Sequence, residues 1–266
     1  MKKVLSKAYF VLILLFLYIP IFVLIVYSFN SSKSYTNWTG FTTHWYKQLF
    51  NNEQIMRALL NTIIIAFVSS IVATALGTTA AIGIYRMKKQ PRSLIMNISY
   101  IPIINPEIIT GVSLMLFFRV FVDVLNLKFG FLTLIIAHIT FNVPYVIFSV
   151  MPKLKQMDPH LMEAAQDLGC NERQAFLKVA IPQILPGVLS GFLLAITYSI
   201  DDFVISYFNS GTSVETLPIT IASMTRRKVS PEINALSALI FVVVAIILIV
   251  KNFYDNKKLH DLKLRK

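Results

Sequence analysis

Long apolar stretches, separated by shorter polar segments, follow one another along the whole sequence. A helix needs roughly 20 residues to cross the hydrocarbon core of a bilayer. Six stretches are about that long, and we predict a membrane-spanning helix in each of them: 8–30, 59–85, 94–118, 131–151, 186–208 and 233–250. The pattern therefore predicts an all-α integral membrane protein of about six transmembrane helices.

The first apolar stretch follows three lysines, as the core of a secretory signal would. It is longer than a typical signal core, and no small-x-small cleavage pattern follows it before Asn30. We therefore predict a helix that is retained. The chain then divides into three segments: the first helix with an external loop at 1–57, a five-helix core at 58–252 and a basic cytoplasmic tail at 253–266.

Composition supports a membrane protein and excludes several other classes. Hydrophobic residues make up 56% of the chain and charged residues 14%, so a soluble fold would expose large apolar patches. The single cysteine, Cys170, excludes an internal disulfide framework and a zinc site built from several thiolates. The sequence has no Gly-x-x-x-x-Gly-Lys-Ser/Thr loop, so we do not expect this polypeptide to hydrolyse ATP. We expect a non-catalytic subunit with no metal and no cofactor.

The net charge of +12 is distributed in a way that indicates topology rather than nucleic-acid binding. The N-terminus, the loops at 86–93 and 152–185 and the C-terminal residues 251–266 hold 17 of the 25 basic residues but 6 of the 13 acidic residues. Basic residues concentrate in cytoplasmic segments. We therefore predict that both termini and these two loops are cytoplasmic, and that nucleic acid is not a partner.

The loop at 152–185 has the most informative local pattern. Asp158 is suited to cap a helix whose first residue is Pro159. Gly169 supplies a left-handed stop for that helix. The helix has an apolar strip at helical spacing, made of Leu161, Met162, Ala165 and Leu168.

A second helix is predicted directly after this stop. Asn171 is suited to cap it, and we expect Pro182 and Pro186 to end it. The result is a short amphipathic helical pair, and such a pair is shaped to dock into a groove of a partner.

The same loop resembles the signature of permease subunits of binding-protein-dependent ABC importers. That signature is Glu-Ala-Ala, three residues, Gly, nine residues and Ile-x-Leu-Pro; here the corresponding positions are Glu163-Ala164-Ala165, Gly169 and Val179-x-Ile181-Pro182. In that family the first loop helix is a coupling helix that sits in a cleft of the ATPase, whereas an ordinary amphipathic loop helix is the alternative. The resemblance implies a type I ABC importer permease fold with a cytoplasmic coupling helix. It assigns ATPase coupling to Glu163, Ala164, Ala165, Asp167, Gly169 and Pro182.

Other segments resemble the spermidine/putrescine importer permeases within that family. These segments are 27–32, 40–46, 199–203, 217–219 and 229–237. The resemblance implies a multi-pass protein of the bacterial plasma (inner) membrane that pairs with a second, homologous permease. It also implies two copies of an ATP-binding subunit, an extracytoplasmic polyamine-binding protein and a polyamine cargo.

Three carboxylates fall inside predicted spans: Glu107, Asp201 and Asp202. A charge at the bilayer centre costs roughly 2.5–3.5 kcal/mol on insertion scales, so such groups usually face a protein-lined or watery path and carry function. Pro102 and Pro106 should kink or break the third span. Counting about 1.5 Å per residue along each span places Glu107 and Asp201 at similar depth. We predict that these carboxylates contact a multiply charged cation.

Other roles are open for several of these residues. Adjacent helix positions point about 100° apart, so one aspartate could instead bind the partner permease or freed backbone. Ser199 is assigned to the same pathway. Trp45 of the external loop suits cation–π contact with the cargo, although a place in the aromatic belt at the membrane surface is the commoner role. His138 is predicted to be a satisfied interior histidine.

The function predicted from these observations is that of a permease subunit in an ATP-driven polyamine importer, forming half of the translocation pathway. In one alternative the protein is still the permease subunit of an ABC importer, but its cargo is another small cation, thiamine or iron. A second alternative is an ion-coupled secondary transporter, which predicts internal repeats and leaves the loop motif unexplained.

Overall fold

The computed structural model of the chain describes residues 2–32, 37–125, 128–158, 160–227, 231–243 and 245–246. Regular structure in these residues is helical, which confirms the all-α class, and the β contact described is an isolated bridge between Asn30 and Phe41. Pro159 and the predicted tail at 253–266 lie outside the described residues. The helices are α1 (Lys2–Tyr27), α2 (His44–Asn51), α3 (Glu53–Arg86), α4 (Lys89–Ile104), α5 (Glu107–Leu125), α6 (Phe131–Gln156), α7 (His160–Asp167), α8 (Glu172–Ala175), a π turn (Phe176–Ala180), α9 (Ile181–Asp201), α10 (Val204–Asn209), α11 (Leu217–Arg227) and α12 (Pro231–Val243).

The described residues contain four helices that are each long and apolar enough to cross a membrane. These are Tyr9–Tyr27 of α1, α3, α6 and the continuous helix Glu172–Asp201. α4 and α5 pass the same test only as a pair, and α12 is shorter. The sixth predicted span extends beyond α12 into residues that are mostly outside the described part of the chain. The count of six therefore stays a prediction.

The third predicted span, 94–118, is broken into two helices. α4 ends at Ile104, Asn105 is extended, and α5 begins at Glu107 at an angle of 104° to α4. Pro106 explains the break, because proline lacks an N–H and disfavours helical backbone in the residue before it. The expected break is confirmed, but counting residues along one axis does not give the depth of Glu107.

The prediction that Pro182 and Pro186 end the second loop helix is wrong. α8, the π turn and α9 form one continuous helix, Glu172–Asp201. In the π turn the N–H of Ile181 bonds to the carbonyl of Phe176, five residues back, and Pro182 follows within the first turn of α9. Pro182 lies just after this π turn, where the regular i→i−4 bonding is already interrupted, so its missing N–H does not end the helix.

The described contacts divide the chain into two compact units, Arg57–Thr220 and Met1–Met56 with Ile221–Lys266. In the second of these units, Asn52 after α2 donates a hydrogen bond to Glu232 of α12 at 3.2 Å. The division predicted from the sequence, at 57/58 and 252/253, stays a prediction.

α6 lies at the centre of the unit Arg57–Thr220, with α3 and α9 packed closely against it. Gly187 and Gly191 of α9 face α6, and a Cβ on Gly187 would lie 2.9 Å from the carbonyl oxygen of Ser149. Gly77 of α3 is equally confined, because a Cβ there would lie 2.6 Å from Cβ of Val146. Small residues four apart let helix backbones approach this closely. The three helices therefore bring their polar side chains within hydrogen-bonding distance of one another.

Candidate functional site

The helix predicted at 186–208 is interrupted at Asp202. α9 ends at Asp201, Asp202 has an extended backbone (φ −64°, ψ 118°), and α10 follows as a separate short helix. Buried backbone N–H groups need acceptors. The Asp202 carboxylate supplies two: Oδ1 accepts from the N–H of Ile205 at 3.1 Å, and Oδ2 accepts from the N–H of Ser206 at 2.7 Å. The break is therefore stabilised by a side chain, which a pattern of apolar positions does not show.

Asp202 also lies against His138 of α6. Its Oδ2 is 3.6 Å from His138 Nε2, and both side chains are buried. The same Nε2 is 3.1 Å from Ser206 Oγ, and Nδ1 is 3.0 Å from Ser199 Oγ. Both ring nitrogens have partners, so the prediction of a satisfied interior histidine is confirmed.

Ser199 extends this network to α3. Its hydroxyl accepts a hydrogen bond from Nδ2 of Asn142 at 2.8 Å and lies 3.3 Å from Ser69 Oγ. Ser199, Asn142 and Ser69 are all buried. Neither Asn142 nor Ser69 was predicted from the sequence, although a polar residue inside an apolar helix is itself a signal of a polar contact within the protein.

The other two predicted carboxylates are exposed. Asp201 is the last residue of α9, and Glu107 is the first residue of α5. The Glu107 carboxylate interacts electrostatically with both Asp202 and Asp201, despite the bend in the third span. A negative charge at a helix C-terminus opposes the helix dipole. The dipole of its own helix therefore does not stabilise the Asp201 carboxylate.

Trp45 lies in the other unit, in α2, which follows the loop after α1. Its side chain is buried, and its indole N–H donates a hydrogen bond to the carbonyl oxygen of Asn30 at 2.7 Å. The Asn30 side chain in turn accepts from the N–H of Thr39 at 3.0 Å. These contacts make the indole part of the loop's packing, and cargo contact by Trp45 stays a prediction.

The first loop helix predicted from the sequence is α7, and Gly169 lies in the turn that ends it, as predicted. Gly169 has φ +90°, its N–H bonds to the carbonyl of Gln166, and the N–H of Cys170 bonds to the carbonyl of Ala165. These two bonds form a Schellman motif, which requires the left-handed backbone that glycine adopts at no steric cost. The predicted cap of the next helix is also confirmed, because Asn171 Oδ1 accepts from the N–H of Gln174 at 2.8 Å.

The exposed surface around α7 contains both apolar and acidic side chains. Ala165 is buried, whereas Leu168 is 88% exposed. Five of the six residues assigned to coupling are exposed: Glu163, Ala164, Asp167, Gly169 and Pro182. The apolar strip predicted on this helix is thus divided between contacts within the chain and an exposed side. Apolar and acidic side chains exposed on one short helix are typical of a docking surface.

Comparison with known proteins shows clear relatives. A family model described as "Binding-protein-dependent transport system inner membrane component" matches residues 73–256. The spermidine/putrescine transport system permease protein PotC of Haemophilus influenzae is 36% identical over 256 residues, which cover 96% of this chain and 98% of that protein. The putrescine transport system permease protein PotI of Escherichia coli is 38% identical over 235 residues, which cover 87% of this chain and 84% of that protein.

The fold has a counterpart among solved structures. It matches a chain in the crystal structure of a bacterial ABC transporter involved in the import of the acidic polysaccharide alginate, with a TM-score of 0.69. The match covers 96% of this chain and 95% of that chain at 13% sequence identity. At this identity the likeness concerns the fold alone.

The different surroundings of the two aspartates lead to a prediction about stability. Asp202→Ala leaves two backbone N–H groups without acceptors and should destabilise the protein by about 1–3 kcal/mol. Asp201→Ala removes an exposed carboxylate and should change stability by no more than about 0.5 kcal/mol. Thermal unfolding of the two purified variants in detergent compares them directly. Equal losses would show that Asp202 does not stabilise the helix break.

Proposed function

This chain belongs to the family of binding-protein-dependent transport system inner membrane components, and we propose that it is the permease subunit of a polyamine importer. Members of this family are multi-pass membrane subunits that work with an ATPase and a substrate-binding protein, and they are not the catalytic subunit. A polyamine cargo is favoured by the names of the relatives at 36% and 38% identity. The observation that carries the proposal is the group of three carboxylates around the break between α9 and α10.

We assign the three carboxylates different tasks. Asp201 and Glu107 are exposed, and they contact the ammonium groups of the cargo through charge-assisted hydrogen bonds. Asp202 and Ser199 are buried, and they hold the helix break in place. The position of Asp201 supports this division, because a carboxylate that opposes its own helix dipole becomes favourable when a cation binds beside it.

We propose that α7 is the coupling helix of this permease. Its exposed residues Glu163, Ala164, Asp167 and Leu168 contact the ATP-binding subunit, while the buried Ala165 holds the helix against the rest of the chain. The complete assembly contains this chain, a second homologous permease and two copies of the ATP-binding subunit. A polyamine-binding protein delivers the cargo on the opposite side of the membrane.

The orientation of the chain in the membrane follows from the proposal that α7 is the coupling helix. With α7 and both termini in the cytoplasm, the basic clusters lie on the cytoplasmic side. The loop that follows α1 then lies outside, and so does α2.

The cargo prediction is tested by removing one charge at a time. Asp201→Asn and Glu107→Gln keep size and hydrogen bonding, and each should lower polyamine transport efficiency by about 10- to 150-fold, as expected for one lost charge-assisted hydrogen bond. The loss should be larger for a triamine than for a diamine. Initial uptake rates are measured in vesicles containing the whole complex. Glu53→Gln, at an exposed carboxylate in the first turn of α3, is the control.

Two results would contradict this assignment. Wild-type efficiency in both charge-removing variants would show that neither carboxylate contacts the cargo. Vesicles with the wild-type complex that take up another small cation, and no polyamine, would show that the cargo itself is wrong.

The coupling prediction concerns the turn that ends α7. Gly169→Val should abolish ATP-driven uptake, or release the ATPase on purification, because valine strains a backbone at φ +90° although space is available there. Gly169→Asn is the matched control and should retain coupling, since asparagine tolerates left-handed backbone better than other residues. Normal uptake by the valine variant would remove this turn from the mechanism.

The orientation is tested with Cys170, the only cysteine in the sequence. A membrane-impermeant thiol reagent should fail to label it in intact cells and should label it in inverted vesicles. As a control, His44→Cys in a Cys170→Ser background places the cysteine in α2, and it should be labelled from outside. Labelling of Cys170 in intact cells would reverse the proposed topology.

A further inference from the structure

Three aromatic side chains form a cluster between α6 and α9. The ring centroids of Tyr145 and Tyr198 are 4.5 Å apart, and those of Phe141 and Tyr145 are 5.2 Å apart. Phe141 and Tyr198 complete the cluster at 6.2 Å. Phe141 is buried, whereas the two tyrosines are half-buried.

The cluster adjoins the exposed carboxylates. Tyr198 precedes Asp201 by three residues in α9, and side chains at that spacing lie on neighbouring positions of a helix surface. The Glu107 carboxylate interacts electrostatically with the phenol of Tyr145. Tyr198 is therefore near Asp201, an acid that the proposed function assigns to the cargo, and Tyr145 packs against Tyr198.

Asn142 has a buried hydrogen-bond acceptor in the polar network next to this cluster along α6. It follows Phe141 in α6 and is fully buried, and its Nδ2 donates to Ser199, the residue after Tyr198. Its Oδ1 has no hydrogen-bond partner within the part of the chain that the structure describes. A buried amide oxygen without a partner is costly, and a donor from a bound ligand would satisfy it.

We propose that Tyr145 and Tyr198, supported by Phe141, form an aromatic wall of the cargo site that receives an alkylammonium group and the methylenes next to it. This inference rests on the proposed polyamine function and names the residues that recognise the cargo's alkyl chain. The ring faces attract the cation and also contact its apolar neighbours. Carboxylates alone attract any cation, so the rings favour an alkylammonium over a strongly hydrated inorganic ion.

The experiment separates the ring from the hydroxyl. Tyr145→Phe and Tyr198→Phe keep the ring, whereas Tyr145→Leu and Tyr198→Leu remove it. The Leu variants should lower polyamine transport efficiency by about 3- to 30-fold, and the Phe variants should stay within about 2-fold of wild type. Tyr→Met variants, which replace the ring by a flexible apolar chain, take the place of any Leu variant that does not co-purify with its partners.

Two further measurements distinguish cargo contact from a packing defect. ATP hydrolysis stimulated by the binding protein should stay near the wild-type level in the Leu variants, so the ATP consumed per polyamine should rise by the factor lost in transport. Tyr100→Leu is the matched control, because Tyr100 pairs with Phe148 at 5.0 Å and has no described interaction with the three carboxylates. Its transport efficiency should match wild type.

Each contrary outcome has a distinct meaning. Ring-removing variants with wild-type efficiency overturn the aromatic wall, and so do Phe variants as impaired as the Leu variants. A parallel fall in ATP hydrolysis and transport assigns the rings to packing and also overturns it. A wild-type complex that transports no polyamine refutes the proposed function instead, because that result does not depend on the tyrosines.

Discussion

Backbone amides in an apolar environment must be hydrogen-bonded, and this constraint decides how α9 can end. α9 stops at Asp201, and the Asp202 carboxylate accepts hydrogen bonds from the N–H groups that begin α10. That carboxylate is buried and lies against His138. The Asp202 carboxylate therefore makes its contacts within the protein, whereas the adjacent Asp201 is exposed. Because Asp202 provides the hydrogen-bond acceptors at the break and Asp201 does not, the two neighbouring acids can have separate roles.

The break depends in turn on close helix packing. Gly187 and Gly191 allow α9 to approach α6, and Gly77 allows α3 to approach it as well. Only at such separations can the short side chains of Ser69, Asn142 and Ser199 reach one another. The same approach of α6 and α9 brings the ring of Tyr145 against that of Tyr198. Small residues, the polar network and the aromatic cluster are consequences of one packing arrangement.

Much of this architecture was predictable, because it depends on local signals. The apolar stretches gave most of the long helices, Gly169 gave the end of α7, and Asn171 gave the cap of α8. The error at Pro182 arose because a π turn admits a proline into a continuing helix, and no apolar periodicity reveals that turn. The short helix α2, with its buried Trp45, was also missed.

The polar network was predictable only in part. Three of its members were recognisable as polar residues in apolar segments: His138, Ser199 and Asp202. Asn142 and Ser69 share no local pattern with them, and their meeting depends on three helices being packed together. Gly187 and Gly191, four residues apart, were the available signal that α9 packs closely on another helix.

The continuous helix Glu172–Asp201 also has a mechanical consequence. Its α9 portion is 21 residues long, or about 30 Å. The π turn at its base departs from regular α-helical bonding, so the long helix can bend there more easily than elsewhere. With this length, a tilt of about 10° at the base would displace the far end, which bears Asp201, by about 5 Å. The separation of Asp201 from Glu107 would then depend on the tilt of this one helix.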